Sequence, residues 1–128
     1  MAAGTLVSSG SSASMPTGSG SERLRRATII GLNNDTQEIL SGTAGHIYTV
    51  LSIVFCDQQN AAAGSTIDIT IAPSGSGAVY LCRMQQVGPY GTFVWNDKFV
   101  LYETDDLDVY NSCTNGDWSI SYIDQDWT

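Results

Sequence analysis

His46-Ile47-Tyr48-Thr49-Val50-Leu51-Ser52-Ile53-Val54-Phe55-Cys56 has the longest unbroken strand character in the chain, and its reading decides the fold. It is built almost wholly from β-branched, aromatic and other apolar residues, which suit a pleated, packed surface. A period of two sends Ile47, Thr49, Leu51, Ile53 and Phe55 one way. Tyr48, Val50, Ser52, Val54 and Cys56 go the other way. Both sides are largely apolar. The strand is therefore expected to be central and covered on both faces, or bent so that it serves two sheets.

Downstream, Thr66 to Ile71 alternates cleanly, with Ile67, Ile69 and Ile71 inward and Thr66, Asp68 and Thr70 outward. Ala78 to Val87 carries Val79, Leu81 and Arg83 on one face and Tyr80, Cys82 and Met84 on the other. Thr92 to Trp95, Phe99 to Tyr102, Leu107 to Asn111 and Trp118 to Ile123 complete the series. Asn96-Asp97-Lys98 reads as a tight connection, and Asn115-Gly116 is a hairpin dipeptide. Upstream lie Ala27 to Leu32, closed by Asn33-Asn34-Asp35, and the short strand Glu38-Ile39-Leu40. Strands recur about every ten residues with turn formers between them and no helical periodicity. This pattern predicts an all-β, antiparallel, jelly-roll-like β-sandwich of about 8–9 short strands.

The first 26 residues differ: Ser, Gly and Ala with a basic finish. They have too few large apolar side chains to offset an ordering cost of about 1–2 kcal/mol per residue. The chain thus divides into an extended N-terminal arm, residues 1–26, and a sandwich domain, residues 27–128. The arm is expected to gain order only on a partner, for instance by extending a neighbour's sheet through main-chain hydrogen bonds. Its candidate partner-binding residues are Leu6, Val7, Met15, Arg23, Leu24, Arg25 and Arg26. Tyr90, on the turn Gly88-Pro89-Tyr90-Gly91, and Trp127, docked on its own domain or on a neighbour, are further candidates for surface contact.

Charge is divided unevenly. The arm sets Arg23, Arg25 and Arg26 against Glu22, a net of +2, and the rest sets Arg83 and Lys98 against twelve acids, a net of −10. An acidic body repels nucleic acid, and the arginine cluster suits an acidic protein surface or a phosphate backbone. No run of apolar residues is long enough for a membrane span, and no secretory signal is apparent at the N-terminus. Cys56, Cys82 and Cys113 are odd in number and spaced for neither a disulfide framework nor a zinc site. Cys56 and Cys82 lie in apolar runs and are expected to be buried thiols, which points to a reducing cytoplasm.

Chemistry is hard to assemble. The sole histidine, His46, has no nucleophile elbow to serve and reads as structural. Glu103, Asp105, Asp106 and Asp108 could hold Ca²⁺, but without EF-hand spacing they read as solvated turn charges. No catalytic, cofactor or metal residues are expected. Tyr90, Trp95, Tyr102, Tyr110, Trp118, Tyr122 and Trp127 leave open a sugar-stacking platform, hence a carbohydrate-binding module as the alternative class.

Three stretches carry a resemblance: His46 to Asp57 after a Gly-rich turn, Phe99 to Tyr110 with its acidic turn, and the closing Trp118-Ser119-Ile120-Ser121-Tyr122-Ile123-Asp124. Over Thr28 to Trp127 the chain resembles the small β-sandwich structural proteins of tailed-phage virions. These include capsid decoration (cement) proteins and tail or neck accessory proteins. The resemblance implies a non-enzymatic virion protein, assembled in the host cytoplasm. It would bind a major capsid protein, or tail structural proteins as the alternative, and form a homo-oligomer, a trimer first. The long arm is a departure from that pattern.

Overall fold

The computed structural model describes residues 21–59, 64–73 and 77–128. Nine strands form among them: β1 (Ser21–Leu32), β2 (Asp35–Ser41), β3 (His46–Asp57), β4 (Ser65–Ala72), β5 (Val79–Val87), β6 (Thr92–Trp95), β7 (Phe99–Tyr102), β8 (Asp106–Asn111) and β9 (Gly116–Asp126). All pairings are antiparallel. One sheet runs β1-β9-β3, with β6 and β7 following one another along the far edge of β3. The other runs β2-β8-β4-β5. With β6 and β7 taken as one interrupted strand, the orders become 1-8-3-6 and 2-7-4-5, the jelly-roll arrangement of two interlocked Greek keys.

The core lies between the sheets. Val50, Ile53, Phe55, Trp118 and Ile120 from the five-stranded sheet meet Ile67, Ile69, Leu107 and Val109 from the four-stranded sheet, all essentially sealed from solvent. Phe55 and Trp118 pack with ring centroids 4.8 Å apart.

Strand β3 is central, as its composition requires, but its faces are not the ones a strict period of two assigns. The register with β9 slips between Val50 and Ser52. This bulge inserts Leu51 and reverses the parity, so the inward residues are Tyr48 and Val50 before it and Ile53, Phe55 and Asp57 after it. The interruption at 96–98 falls opposite the bulge. Trp95 pairs with Ile53 and Phe99 with Val50. Asn96-Asp97-Lys98 is therefore a break in one line of pairing rather than a turn between neighbours.

Asn115-Gly116 does not close a hairpin either. It carries the chain from β8 in one sheet to β9 in the other. The crossing is held by Asn111, which is fully buried. Its amide donates to the Leu32 carbonyl at 2.9 Å and the Cys113 carbonyl at 3.0 Å, and its Oδ1 accepts from Trp118 Nε1 at 2.9 Å. Glycine is required at 116 because a Cβ there would sit 2.7 Å from Phe55 and 2.8 Å from Asn111.

Strand β1 begins at Ser21, not at Ala27, so Ser21–Arg26 belong to the sheet and pair with Tyr122, Ser121 and the rest of the end of β9. Paired main-chain groups, rather than apolar side chains, hold this part of the strand, which is why composition hides it. The cysteines also differ from expectation: Cys113 is the buried one, while Cys56 and Cys82 are half-buried. Cys82 lies on edge strand β5, where register shifts on either side of Ile69 and a positive φ at Met84 break the alternation.

Candidate functional site

A sandwich has two outer faces, and here they are chemically unlike. Cross-strand partners share a face, so the register gives the outer surface of the five-stranded sheet row by row. Glu22, Gln125, Ile47 and Tyr102 form one row across β1, β9, β3 and β7. Leu24, Ile123, Thr49 and Val100 form the next, then Arg26, Ser121 and Ser52. Thr28, Ser119, Val54 and Val94 follow across β1, β9, β3 and β6. Apart from Glu22, Arg26, Asp117 and Gln125, the paired positions of this face are apolar or hydroxylic, with Cys56 among them. Leu24, Val94, Val100 and Tyr102 stand exposed on it, as does Ile30 at the β1 bulge. No third layer covers this face among the described residues.

The bulge in β1 between Ile29 and Leu32 shapes this surface. Gly31 takes φ +69° there, and its N–H donates to Asp117 Oδ1 at 2.8 Å. Ile30 is thereby pushed outward and is 85% exposed. Beside it lies an open depression of about 280 Å³, lined by Thr28, Val54, Cys56 and Ser119 among others.

The outer face of the four-stranded sheet is acidic. Glu38 stands opposite Asp108 across β2 and β8, and Ser41 opposite Asp106. Asp68 shares its row with Tyr110, and Thr70 pairs with both Asp108 and Tyr80. Partial desolvation, then the charge of Asp106, raises the Asp108 carboxyl above its ordinary value. Glu38 is raised by desolvation first, then by Asp106 and Asp108. Arg83, 4.8 Å from the centroid of the Tyr80 ring, is the basic group at the rim.

At one open end of the sandwich sits a charged cluster. Asp124, buried, accepts from His46 Nδ1 at 2.7 Å and from Arg25 Nε at 3.0 Å. His46 Nε2 lies 3.5 Å from Asp126. The Asp126 carboxyl is held below its ordinary value, chiefly by hydrogen bonds from Thr128, with His46 and Arg23 adding to this. His46 thus faces a carboxylate from each ring nitrogen and joins β3 to β9. The arrangement is a tie between strands.

The sequence candidates separate accordingly. Leu6, Val7 and Met15 lie outside the described residues. Leu24 and Arg26 are on the apolar face, but Arg23 and Arg25 point to the inner side, and Arg25 is already engaged with Asp124. Tyr90 is exposed on its turn with φ +55°. Trp127 is half-buried against its own chain, and its backbone N–H donates to the Gly45 carbonyl at 2.8 Å. The aromatics do not form one platform: Trp118 and Tyr122 are core, Trp95 faces inward, and Tyr102 and Tyr110 lie on opposite faces of the molecule. Around the acidic turn, Asp105 accepts from the Tyr102 N–H at 3.3 Å within its own loop, and Asp106 accepts from Ser41 Oγ at 3.2 Å, tying the turn to the end of β2. Sequence reasoning missed the apolar face as a surface. The signal was present in β3, whose two apolar sides imply a cover for each.

No protein-family model matches the chain, and no curated protein matches it. Among solved structures it is similar to a chain in the crystal structure of the T13 IBDV viral particle, with a TM-score of 0.53 and 9% identity. The similarity covers 81% of this chain and 31% of that one, so the present chain spans about a third of that neighbour's length. At this identity the likeness is one of fold.

Proposed function

We propose that the protein is a non-enzymatic structural component of a virus particle, a capsid decoration protein first and a tail or neck component second. The observation that carries this reading is a jelly roll shared with a chain of a viral particle, bearing an apolar outer face that its own described elements leave bare. A large exposed apolar patch on a soluble fold marks an interaction surface. The acidic face opposite keeps unassembled copies apart. In this reading the segment before Ser21, with Leu6, Val7 and Met15, supplies attachment to a major capsid protein, and repeated attachment on a symmetric lattice strengthens weak single contacts.

The test is to quantify the chain in purified particles of its source. On the order of hundreds of copies per particle fits a shell lattice, and about a dozen or fewer fits the tail axis. Absence from particles overturns the reading. Deleting residues 1–20, which leaves β1 whole, is expected to abolish particle binding while the domain still folds.

A further inference from the structure

The apolar face has a shape as well as a composition. Ile30 projects from it and walls one side of a depression completed by Thr28, Val54, Cys56 and Ser119, with Asp117 at its edge. A projection next to a recess of matching character is self-complementary under a two-fold axis, since each copy offers what the other accepts. We propose that two copies of this chain pack through the outer faces of their five-stranded sheets, Ile30 of each seated in the other's depression.

Three further observations favour a second copy as the occupant. The first is charge. Every approach of two copies through the four-stranded sheets opposes Glu38, Asp68, Asp106 and Asp108 with their own kind, whereas the five-stranded face carries Arg26 against Glu22 and Asp117. For a chain of net charge −8, it is the broad face on which copies meet without massed carboxylates.

The second is area. Strand β9 has 11 residues, and the sheet is four strands wide. At the usual rise and spacing such a face measures about 700 Å², so a pair buries about 1,400 Å², within the range of stable interfaces.

The third is what residues 1–20 could bring to the same face. Residues 1–20 offer Leu6, Val7 and Met15 as internal large apolar side chains, against Leu24, Ile30, Ile47, Val54, Val94, Val100, Tyr102 and Ile123 on the face. The product would be four stacked sheets about 10 Å apart, with both acidic faces outermost.

Sedimentation velocity of the full chain over a range of concentrations tests this. A species of two copies is expected. Ile30→Asp, and separately Leu24→Glu, should each raise its dissociation constant at least about thirtyfold, while Glu38→Gln on the opposite face leaves it unchanged. Both apolar targets are largely exposed, so the fold should survive, and circular dichroism checks this. Native alkylation supplies a second readout: Cys56, inside the depression, should react more slowly in wild type than in Leu24→Glu, whose site lies outside that depression. A wild-type chain that stays single up to about 0.1 mM overturns the inference. So does association that persists in both apolar variants, or that disappears on deleting residues 1–20. The pairing does not rest on the virion reading: particle copy number can fail while the pair stands, and the reverse.

Discussion

The two sheets bury the same kind of core and present opposite kinds of surface. In the four-stranded sheet the central strands β4 and β8 alternate in the ordinary way: Ile67, Ile69, Leu107 and Val109 go inward, and Asp68, Asp106 and Asp108, with Glu38 of β2, go outward. The five-stranded sheet sends Val50, Ile53, Phe55 and Ile120 inward and still puts Ile47, Val54, Val100 and Ile123 outward. Burial in the core requires only one apolar side per sheet. A second apolar side adds nothing to the folding of a single copy and adds aggregation risk, so its explanation lies in what the face meets.

The sharpest way to break the comparison is to break the joint on which both faces depend. Asn111→Ala removes the amide that links β8 to the Leu32 carbonyl and to Trp118 Nε1, leaving buried groups without partners. The expected loss is about 3 kcal/mol, seen as a lower urea midpoint with a single transition. A split transition would mean that the two sheets unfold as separate bodies, and that their faces are not two sides of one unit.

A smaller effect separates the inner and outer arginines of β1. Arg25→Ala leaves Asp124 buried with His46 as its remaining side-chain partner and is expected to cost about 1 kcal/mol, since Arg25 itself is half-exposed. Amide exchange over residues 21–26 should rise with it. Arg26→Ala, on the outer face opposite Ser121, should change stability by no more than about 0.5 kcal/mol. Equal effects would show that the tie at Asp124 does not hold the start of β1.

Much of the fold was legible because most strands obey a period of two. β4 and β8 show their buried sides directly. The failures are physical. The bulge at Leu51 swaps the faces of β3 midway, and no residue in that apolar run marks where the extra one sits. Ser21–Arg26 are held by backbone pairing and by Arg25 with Asp124, 99 residues away in sequence. Asn115-Gly116 has hairpin chemistry but joins strands of different sheets: Gly116 pairs with Leu32 of β1 and Asp57 of β3, not back onto β8. The apolar face was hidden for a simpler reason: Val54, Val94 and Val100 have the composition of core residues. Only the pairing register shows that they point away from the core.

Titration distinguishes the acidic face from the charged end. Glu38 and Asp108 have raised carboxyls in the folded state, so ionising them weakens the fold, and stability is regained as pH falls through their folded values. Asp126 has the opposite sign: its lowered carboxyl gives stability above the unfolded value that is lost as pH falls through the folded one. Glu38→Gln relieves a like-charge pair directly across β2 and β8, and should stabilise by about 0.5 kcal/mol at pH 7. The gain should vanish by about pH 3, where wild-type Glu38 is itself neutral. A gain that persists there would assign the effect to packing rather than charge.

The smallest expected change in stability tests the apolar face itself. Val100→Thr keeps side-chain shape and β-branching at an exposed position, so in dilute solution the unfolding free energy should change by less than about 0.5 kcal/mol. If the face exists to be covered, the same substitution must weaken association of the full chain while leaving the single copy as it was. If Val100 instead supports the sheet, both readouts fall together. The contrast with Glu38→Gln then becomes diagnostic, because a change on the acidic face alters the stability of one copy and a change on the apolar face alters the meeting of two.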